Sequence, residues 1–478
     1  MRAQAAARLP QAALRVWGDE DCATVHQATL RLLAETGVEM RHERARDLCA
    51  AAGAHIEGTR VRLPAALVEQ ALASAPRSSW LTPRGGSTEA LELTSGRTYY
   101  GTGPDCLYVA DAETGARRRA RLADVKDYAR LSDRLPHIDF VMSMGLPEDV
   151  PNEVVDLAQF AAMLAGTSKP IVVSSPFAGA SLHAMHEMAA LCGEAASFAC
   201  LAMSSPPLTL DEVALDKLLT CAALSIPLVL APAPSAGSTA PASVPAVVTV
   251  GNAEVVAGLV VHQLARPGAP FVYGAGVGVL NMRTAVEVYL APEAALGDQA
   301  ACDLARSYGL PSWSYAGMSD SKLLDEQAAL EAGLASVFGA LSGATLLHDV
   351  GYLESGMQSS FEALVLGNEI IGYVKAFLTP LPVSSDTLQL DEIMAVGPGG
   401  NHLARPYTRQ HHRLLWQADL LDQNMFERWQ ADGATTLRER VKARTAALCA
   451  AAPTFSLDPA LEARLQRIVA EALRAAGD

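Results

Sequence analysis

Aromatic and acidic side chains recur where short apolar segments of this sequence end. Trp313 and Tyr315 alternate in one such segment, and His348 and Tyr352 share the same parity in the next one, which leads to Glu354. Alternate residues of a strand point to the same face, so each set would project together. Aromatic faces with a carboxylate nearby suit a quaternary ammonium group, which has no N–H to donate. We therefore predict an aromatic-lined site for an organic cation.

The same segment ends carry no recognisable metal-binding pattern. Neither His-x-His, His-Glu-x-x-His nor Asp-x-Asp occurs there, and His183 and His186, which share a predicted helix face with Glu187, lack an evident further ligand. Zinc sites and two-metal sites need such converging ligands. We therefore predict that catalysis requires no metal ion bound to this chain.

Lys322 is the residue on which a different chemistry would depend. A lysine near a strand end can form a Schiff base, as in metal-independent lyases and aldolases. Lys322 lies between Asp320 and Asp325 in the sequence, however, and an ion pair at a helix N-terminus explains it as well. A barrel lyase therefore remains an alternative function.

A regular alternation of apolar segments and Ala/Leu-rich stretches provides the scaffold for these residues. Seven segments with strand character begin 28 to 43 residues apart. The stretches between them are long enough for crossover helices, which indicates β-α-β units and a parallel sheet. We predict strands at 140–144, 170–175, 198–204, 227–231, 270–274, 311–316 and 344–352.

These units favour an α/β fold of the (β/α)8 TIM-barrel type, with one strand not identified. An open, doubly wound sheet is the alternative, but no Gly-x-Gly-x-x-Gly motif opens a helix after the first strand. We predict an N-terminal helical and β-hairpin region at 1–135, the barrel at 136–395 and a C-terminal helical extension at 396–478.

Both flanking regions contain predicted elements. Helical periodicity predicts N-terminal helices at 22–36, 43–52 and 64–75, and a β-hairpin should begin at Tyr99. After a glycine-rich turn at 397–400, helices are predicted at 411–430 and 458–475.

Charge and composition narrow the possible functions. The chain has 52 acidic and 37 basic residues, and its net charge of −15 disfavours nucleic-acid binding. With 50% hydrophobic and 19% charged residues it can form a large core, which excludes a disordered protein. The most apolar stretches are short and interrupted by proline, so we predict no transmembrane helix. Eight scattered cysteines without a Cys-x-x-Cys pair, and an N-terminus without a signal peptide, lead us to expect a cytoplasmic protein.

Several longer motifs carry a family resemblance. They are HQATLRLLAETGVE at 26–39, residues 105–119 followed by Asp124, LPHIDF at 135–140, NAE at 252–254 with Gln263, PGAP at 267–270, SDSK at 319–322 with Asp325 and Gln327, GYLESG at 351–356 and GPGGN at 397–401. Over residues 17–448 the chain thereby resembles the trimethylamine methyltransferase family. Those enzymes depend on a corrinoid and remove a methyl group from a methylated amine. The resemblance implies a (β/α)8 barrel with terminal extensions and a homo-oligomer.

The resemblance also bears on the substrate. It places Met318 at the approximate position of the pyrrolysine that the archaeal trimethylamine enzymes carry, and methionine cannot supply that chemistry. Members without pyrrolysine act on quaternary amines, whose nitrogen is permanently cationic and already carries a neutral leaving group. We therefore expect glycine betaine or a related betaine as the substrate, with proline betaine, carnitine, choline and trimethylamine as alternatives.

The mechanism that the resemblance implies is an in-line displacement, in which the methyl group passes from nitrogen to the cobalt(I) of a corrinoid. The corrinoid (cobalamin) would be supplied by a partner corrinoid-binding protein that docks at the barrel mouth, and no cofactor would be bound directly by this chain. The barrel would hold the cation, aim one methyl group and exclude water. A betaine-binding protein without catalysis is a further alternative.

The predicted substrate-binding residues follow from these chemical requirements. Aromatic faces should hold the trimethylammonium group, a carboxylate should balance its charge, and His348, assisted by the glycine turn, should donate a hydrogen bond to the substrate carboxylate. Structural alternatives remain: hairpin packing for Tyr100, core packing for Trp313 and His348, and helix capping for Glu354. The predicted set is Tyr100, Trp313, Tyr315 and Tyr352 for the cation, Asp105 and Glu354 for charge, and His348, Asn401 and His402 for the carboxylate.

Overall fold

Eight parallel strand segments form the centre of the computed structural model, which describes residues 13–86, 89–111, 114–177 and 179–477. Single bridges from Gly101 to Phe140 and from Val141 to Ile171 supply the second strand and close the sheet into a cylinder. The predicted (β/α)8 barrel is therefore confirmed, and the open sheet is excluded. The other strands are Tyr99–Tyr100, Ile171–Ser174, Phe198–Ala202, Leu228–Leu230, Phe271–Gly274, Ser312–Tyr315 and Leu346–His348.

A helix follows each barrel strand and covers the outside of the sheet. Polar side chains begin several of them: Asp211, Asp325 and Ser360 each accept a hydrogen bond from a backbone N–H in the first turn. The barrel helices are Leu122–Arg134, Val155–Gly166, Gly179–Leu191, Glu212–Leu224, Val244–Ala265, Pro292–Ser307, Glu326–Ser342 and Phe361–Phe377.

The first barrel strand is the one that the sequence did not identify. Tyr99–Tyr100 was expected to begin a β-hairpin, but it pairs with Leu346–His348 inside the barrel. The hairpin instead consists of Tyr108–Ala110 and Arg117–Arg119. Two residues are too short for a recognisable apolar run, so only the pairing identifies this strand. The barrel thus runs from Tyr99 to the end of Phe361–Phe377, and it begins and ends earlier than the expected range 136–395.

Side chains that alternate along the strands separate the barrel interior from the helix layer. Tyr99 and Trp313 point into the interior, whereas Tyr100 and Cys200 pack outward against the helices. The interior is continuous and apolar, and its residues from the barrel strands and their ends are Tyr99, Phe140, Met142, Val172, Ala199, Leu201, Val229, Ala231, Val272, Trp313 and Leu346.

A second hairpin, Ser78–Leu81 with Leu91–Thr94, covers the amino-terminal end of the barrel. Leu81, Leu91 and Leu93 belong to the interior cluster. The hairpin region forms hydrogen bonds with residues that come just before barrel strands. The amide of Thr82 donates to the carbonyl of Ala196, which precedes Phe198–Ala202, and the hydroxyl of Thr345, which precedes Leu346–His348, donates to the carbonyl of Thr94. The opposite, carboxyl-terminal end is therefore the mouth of the barrel.

The three predicted N-terminal helices are present at Asp19–Glu35, Glu43–Ala51 and Ala65–Ser74, and all pack against Val244–Ala265. That barrel helix is long and apolar enough to cross a membrane, so the expectation that no such stretch exists was wrong. Of its most apolar window, 72% is buried in the fold, as in the core helix of a folded domain.

The C-terminal region is only partly as predicted. The expected helix at 411–430 is divided into short helices with an irregular connection, and the one expected at 458–475 is Pro459–Gly477. An additional helix, Leu437–Ala450, packs on the outside of Phe361–Phe377. The short helices of this region are Ser385–Leu388, Leu390–Val396, Pro406–His411 and Phe426–Ala431.

Candidate active site

Three of the predicted residues meet where the last two barrel strands end. Tyr315 is paired with His348 across the parallel ladder, and Trp313 lies two residues earlier on the same face as Tyr315. The His348 ring centroid is 4.2 Å from that of Trp313, at an interplanar angle of 24°, and 4.7 Å from that of Tyr315. We call Trp313, Tyr315 and His348 the aromatic wall.

Members of the aromatic wall differ in what they can contact. Trp313 is 1% exposed and lies beneath His348, so it supports the wall from the barrel interior. Tyr315 is half-buried, and the half-buried Tyr289 extends the wall, with 6.3 Å between the two ring centroids. The aromatic faces that a ligand can reach are therefore those of Tyr315 and Tyr289.

His348 has hydrogen-bonding capacity that the described part of the chain does not use. Neither ring nitrogen has a hydrogen-bond partner there, although Nδ1 lies 2.6 Å from Oδ1 of Asp349, in an orientation unsuited to a hydrogen bond. The His348 side chain is 7% exposed and the Asp349 side chain 3%. Buried polar atoms are normally satisfied, so an unpartnered pair here indicates a ligand or water.

The predicted strand face from His348 to Glu354 was wrong. The barrel strand ends at His348, because Asp349 and Gly351 adopt φ angles of 73° and 100°, which no strand residue does. Tyr352 then belongs to a separate small sheet and donates its hydroxyl hydrogen bond to the carbonyl of Pro104. Tyr352 therefore lies beside the mouth, with its polar end already occupied.

Glu354 does not balance charge in the mouth. Its two carboxylate oxygens accept hydrogen bonds from the Arg117 guanidinium, at 2.7 Å from Nε and 3.0 Å from Nη2. The guanidinium in turn lies over the ring of Tyr108, 3.2 Å from its centroid. The carboxylate is thus neutralised by the hairpin, a contact between residues 237 positions apart that no local pattern reveals.

Tyr100 is not part of the aromatic wall either. It points away from the interior into the helix layer, and Lys375 of the last barrel helix lies with Nζ 5.2 Å from its ring centroid. Tyr100 therefore has a packing role, which was the structural alternative, but it packs against a barrel helix and not within a hairpin.

Asp105 lies on the other side of the mouth, after the first strand. Its carboxylate accepts hydrogen bonds from the Ser143 hydroxyl at 2.8 Å and from Gln159 Nε2 at 2.9 Å. Burial raises the pKa of Asp105 and that of nearby Asp156. Together with Ser174 these residues line a small polar cleft at the ends of the first three strands, separate from the aromatic wall.

Asn401 and His402 are not brought to the mouth. Both are exposed in the C-terminal region, and their described hydrogen bonds are local: Asn401 Oδ1 accepts from the amide of Leu403, and the His402 carbonyl accepts from that of Arg405. A glycine-rich turn indicates a change of direction, but it contains no information on where the turn lies in the fold.

Met318, the position that the resemblance relates to pyrrolysine, is 5% exposed and follows the seventh strand. It lines a small cavity of about 20 Å³ behind the aromatic wall. The polar and aromatic residues that share this cavity are Tyr289, Asp298, Gln299, Ser314 and Tyr315.

Three residues of this region were missed by the sequence analysis: Glu287 and Tyr289, which follow the sixth strand, and Asp298 on the next helix. Glu287, Asp298 and Asp349, here called the mouth carboxylates, all act on the pKa of Tyr315 and raise it further. Alternation of Glu287 and Tyr289 in the segment VEVY was the available signal, but the segment was not read as a strand.

Asp298 is a buried mouth carboxylate, 7% exposed. Burial raises the pKa of Asp298 to about 8, and the amide of Val277, at 3.0 Å, stabilises its charge only in part. Asp298 is therefore largely protonated at neutral pH in the absence of a cation. A positive group next to it would favour the ionised form.

Lys322, on which the lyase alternative depends, and the side chains that can bind metal ions have other surroundings than the aromatic wall. Lys322 is exposed, and its Nζ donates a hydrogen bond to the carbonyl of Asp320 at 2.8 Å, not to a carboxylate. Within the described ranges, no group of three or more His, Cys, Asp or Glu side chains is arranged to hold a metal ion. The mouth is thus characterised by aromatic faces and carboxylates.

Comparison with known sequences finds related proteins over nearly the whole chain. A family model described as trimethylamine methyltransferase (MTTB) matches residues 3–477. The chain is 29% identical over 464 residues to the glycine betaine methyltransferase of Desulfitobacterium hafniense (strain Y51), covering 95% of this chain and 96% of that protein. It is 29% identical to the trimethylamine methyltransferase of Methanosarcina thermophila, covering 89% of this chain and 90% of that one.

Solved structures share the fold. The crystal structure of the Methanosarcina barkeri monomethylamine methyltransferase superimposes with a TM-score of 0.51 at 13% identity, covering 90% of this chain and 86% of that one. The hydroxylamine complex of the monomethylamine methyltransferase MtmB gives a TM-score of 0.52 at 13% identity, covering 91% of this chain and 88% of that one. At such low identity the similarity establishes the fold alone.

Proposed function

Because the chain belongs to the trimethylamine methyltransferase family and is a methyltransferase, we propose that it moves a methyl group from a quaternary amine, glycine betaine or a related betaine, to the cobalt(I) of a corrinoid protein. One observation carries the choice of a quaternary amine. The aromatic faces of Tyr315 and Tyr289 lie among the mouth carboxylates, Glu287, Asp298 and Asp349.

The aromatic faces and the carboxylates would hold the cation in complementary ways. A trimethylammonium group cannot donate a hydrogen bond, so it is bound by π faces and by surrounding negative charge, each desolvated face contributing roughly 1–2 kcal/mol. Tyr315 and Tyr289 would fix the direction in which one methyl group points. Carboxylates need not touch the cation to favour it, because the mouth is partly buried and screening is weak there.

His348 would recognise the other end of a betaine. Its ring nitrogens are unpartnered, and its ring lies next to Tyr315, so a substrate held on the tyrosine faces could place its carboxylate against the imidazole. This arrangement favours a betaine over choline, which has no carboxylate. It also explains a buried histidine at the end of a barrel strand.

A partner protein is supported by the surface around the mouth. Large apolar side chains are exposed in the loops that follow four different barrel strands: Phe177 is 40%, Met203 48%, Met282 75% and Met357 41% exposed. Such an apolar rim fits a docking protein and would exclude water once covered. A docked corrinoid would supply the nucleophile that accepts the methyl group, while the residues of this chain bind and orient the amine.

A cytoplasmic location and a homo-oligomer also belong to this proposal. Cobalt(I) requires a reducing environment, and the cysteines of the described residues are free thiols, as a reducing compartment permits. Homo-oligomers are common among soluble enzymes.

The proposed function is tested with reduced cobalamin or a reduced corrinoid protein in a visible-spectrum assay. Glycine betaine is expected to methylate the corrinoid, and proline betaine, carnitine, choline and trimethylamine serve as comparisons. Binding without methylation would indicate a protein without catalysis. A borohydride-trapped adduct on Lys322 would indicate the lyase alternative, and trimethylamine as the preferred substrate would contradict the choice of a quaternary amine.

The affinity for glycine betaine is expected to increase with pH. A bound cation lowers the pKa of Asp298 below about 8, its value in the ligand-free protein, so binding releases a proton. The Kd should therefore fall as pH rises towards about 8, by at most about tenfold per pH unit, and then level off. Calorimetry in buffers of different ionisation enthalpy measures both the affinity and the released proton.

Asp298→Asn should remove this dependence while keeping the hydrogen bond from the amide of Val277. Asp156→Asn is the matched control, since Asp156 is also a buried carboxylate with a raised pKa but lies in the separate cleft. An unchanged pH profile in Asp298→Asn, or its loss in the control, would contradict a role for Asp298 next to the cation.

A further inference from the structure

One carboxylate joins the three loops that follow the last three barrel strands. Asp320, after the seventh strand, accepts hydrogen bonds from the amides of Tyr289 and Leu290, at 3.1 Å to Oδ1 and 3.2 Å to Oδ2. The hydroxyl of Ser355, after the eighth strand, donates to the same Oδ1 at 2.6 Å. Hydrogen bonds to an ionised carboxylate are stronger than those between neutral groups. Asp320 therefore fixes the backbone that carries Tyr289 relative to the other two loops.

The position of Asp320 is set from the helix that follows it. Glu331 of the helix Glu326–Ser342 accepts hydrogen bonds from the amide of Asp320 at 2.8 Å and from the hydroxyl of Ser319 at 2.7 Å. The loops after the seventh and eighth strands are also joined through their backbones, because the amide of Ser355 donates to the carbonyl of Ser319 at 3.2 Å. These two loops are therefore held together without the side chain of Asp320.

The segment that carries Tyr289 lacks such a second attachment. Among the described residues, every hydrogen bond between residues 277–291 and residues 316–360 is accepted by the Asp320 carboxylate. Glu287 of the same segment is bonded elsewhere, since it accepts from the hydroxyl of Ser235 after the fifth strand. Loss of the Asp320 carboxylate would therefore release Tyr289 from the loops that lie beside it.

The ring of Tyr289 fits closely against the loop after the eighth strand. A β carbon at Gly356, whose φ angle is 81°, would lie 2.9 Å from the hydroxyl oxygen of Tyr289, so glycine allows this approach. The ring centroid of Tyr289 is 6.3 Å from that of Tyr315. A cation–π contact requires the cation over the ring face, so a displaced Tyr289 would bind a cation less well.

We propose that Asp320 is a positioning residue that holds the ring of Tyr289 beside Tyr315 and thereby sets the affinity of the mouth for a quaternary ammonium group. This inference rests on the proposed function, because it assumes that the cation binds to these two ring faces. Asp320 acts through Tyr289 and need not touch the substrate. Its oxygens serve this purpose and are not bonded to Lys322, the partner that the sequence suggested.

Tetramethylammonium is the probe for this inference. It presents a quaternary cation without a carboxylate, so its binding does not depend on His348 or on which betaine is the substrate. Titration calorimetry should detect binding to the wild type. Asp320→Ala should weaken this binding by about five- to thirtyfold, which is the contribution of one desolvated aromatic face.

Asp325→Ala is the matched control. Asp325 lies in the same loop and is half-buried like Asp320, and it also accepts hydrogen bonds from a hydroxyl and a backbone amide, those of Ser321 and Ala328. It has no described hydrogen bond to residues 277–291. Asp325→Ala should therefore leave the affinity for tetramethylammonium unchanged.

Two further variants separate positioning from charge. Asp320→Asn lacks the charge but keeps one side-chain oxygen for the Tyr289 amide and the Ser355 hydroxyl, so it should recover part of the affinity that Asp320→Ala loses. In a Tyr289→Ala background, Asp320→Ala should change the affinity by no more than about twofold, because its effect passes through that ring. Circular dichroism checks that each variant is folded.

An unchanged affinity in Asp320→Ala, or an equal loss in Asp325→Ala, would overturn the inference. It would also be overturned if Asp320→Asn were as weak as Asp320→Ala, or if the loss persisted without the Tyr289 ring, because Asp320 would then act through its charge. These outcomes leave the proposed function intact. Failure of the wild type to bind tetramethylammonium would instead contradict the quaternary-cation site, and with it both the proposed function and this inference.

Discussion

His348→Ala is expected to weaken the binding of glycine betaine by about 10- to 100-fold, because a hydrogen bond to a charged group contributes roughly 1.5–3 kcal/mol. Choline lacks the carboxylate, so its affinity should change much less. The difference between the two ligands is the informative quantity, since a general disturbance of the aromatic wall would affect both. Titration calorimetry with each ligand, for wild type and variant, measures it.

Asn401→Ala and His402→Ala are suitable controls for this prediction. Both residues were candidates for the carboxylate from sequence, but they are exposed in the C-terminal region, and we expect no change in either affinity. If His348→Ala leaves betaine affinity within about twofold of wild type, well below the energy of a charged hydrogen bond, His348 has only a packing role. Equal loss for betaine and choline would mean that the variant disturbs the aromatic wall and would contradict a contact between the imidazole and the substrate carboxylate.

Trp313→Ala is expected to lower the free energy of unfolding by about 3–5 kcal/mol, as for other buried tryptophans. The ring is 1% exposed, lies 4.2 Å from the His348 ring centroid and 5.8 Å from that of Phe140, and its removal would leave a cavity inside a closed barrel. Equilibrium denaturation in urea, followed by far-ultraviolet circular dichroism, measures the change.

Trp80→Ala is the matched control, because Trp80 is 52% exposed and its loss should stay within about 0.5 kcal/mol. Trp313→Phe should restore part of the lost stability by refilling the cavity. A loss below about 1 kcal/mol for Trp313→Ala would mean that the ring is not a core residue, and a direct contact with the cation would then be favoured.

The barrel could be predicted from the sequence because its construction repeats one local pattern. Strands buried on both faces are continuous apolar runs, and the helices between them are rich in alanine and leucine. The strands from Ile171–Ser174 to Leu346–His348 were therefore found within a few residues. The pairing of Trp313, Tyr315 and His348 followed as well, since neighbouring strands of a parallel barrel carry their last residues to the same end.

Features that depend on long-range pairing could not be found in this way. Tyr99–Tyr100 is recognised as a barrel strand only by its pairing with Leu346–His348. Glu354 is paired with Arg117, which is distant in the sequence, and so does not contribute charge to the mouth. Tyr289 and Asp298 reach the aromatic wall from the segments that follow the sixth strand; the alternation of Glu287 and Tyr289 indicates a short strand there, but not that it lies beside Tyr315.

The loop after the last strand shows the physical reason most clearly. Alternation predicted one face from His348 through Tyr352, but Asp349 and Gly351 adopt positive φ angles and turn the chain away. The residue type limits which backbone conformations a position can adopt, and aspartate and glycine tolerate a positive φ angle better than most residues. Whether they adopt it depends on the packing of the surrounding side chains and on the hydrogen bond from Tyr352 to Pro104, which exist only once the barrel has closed.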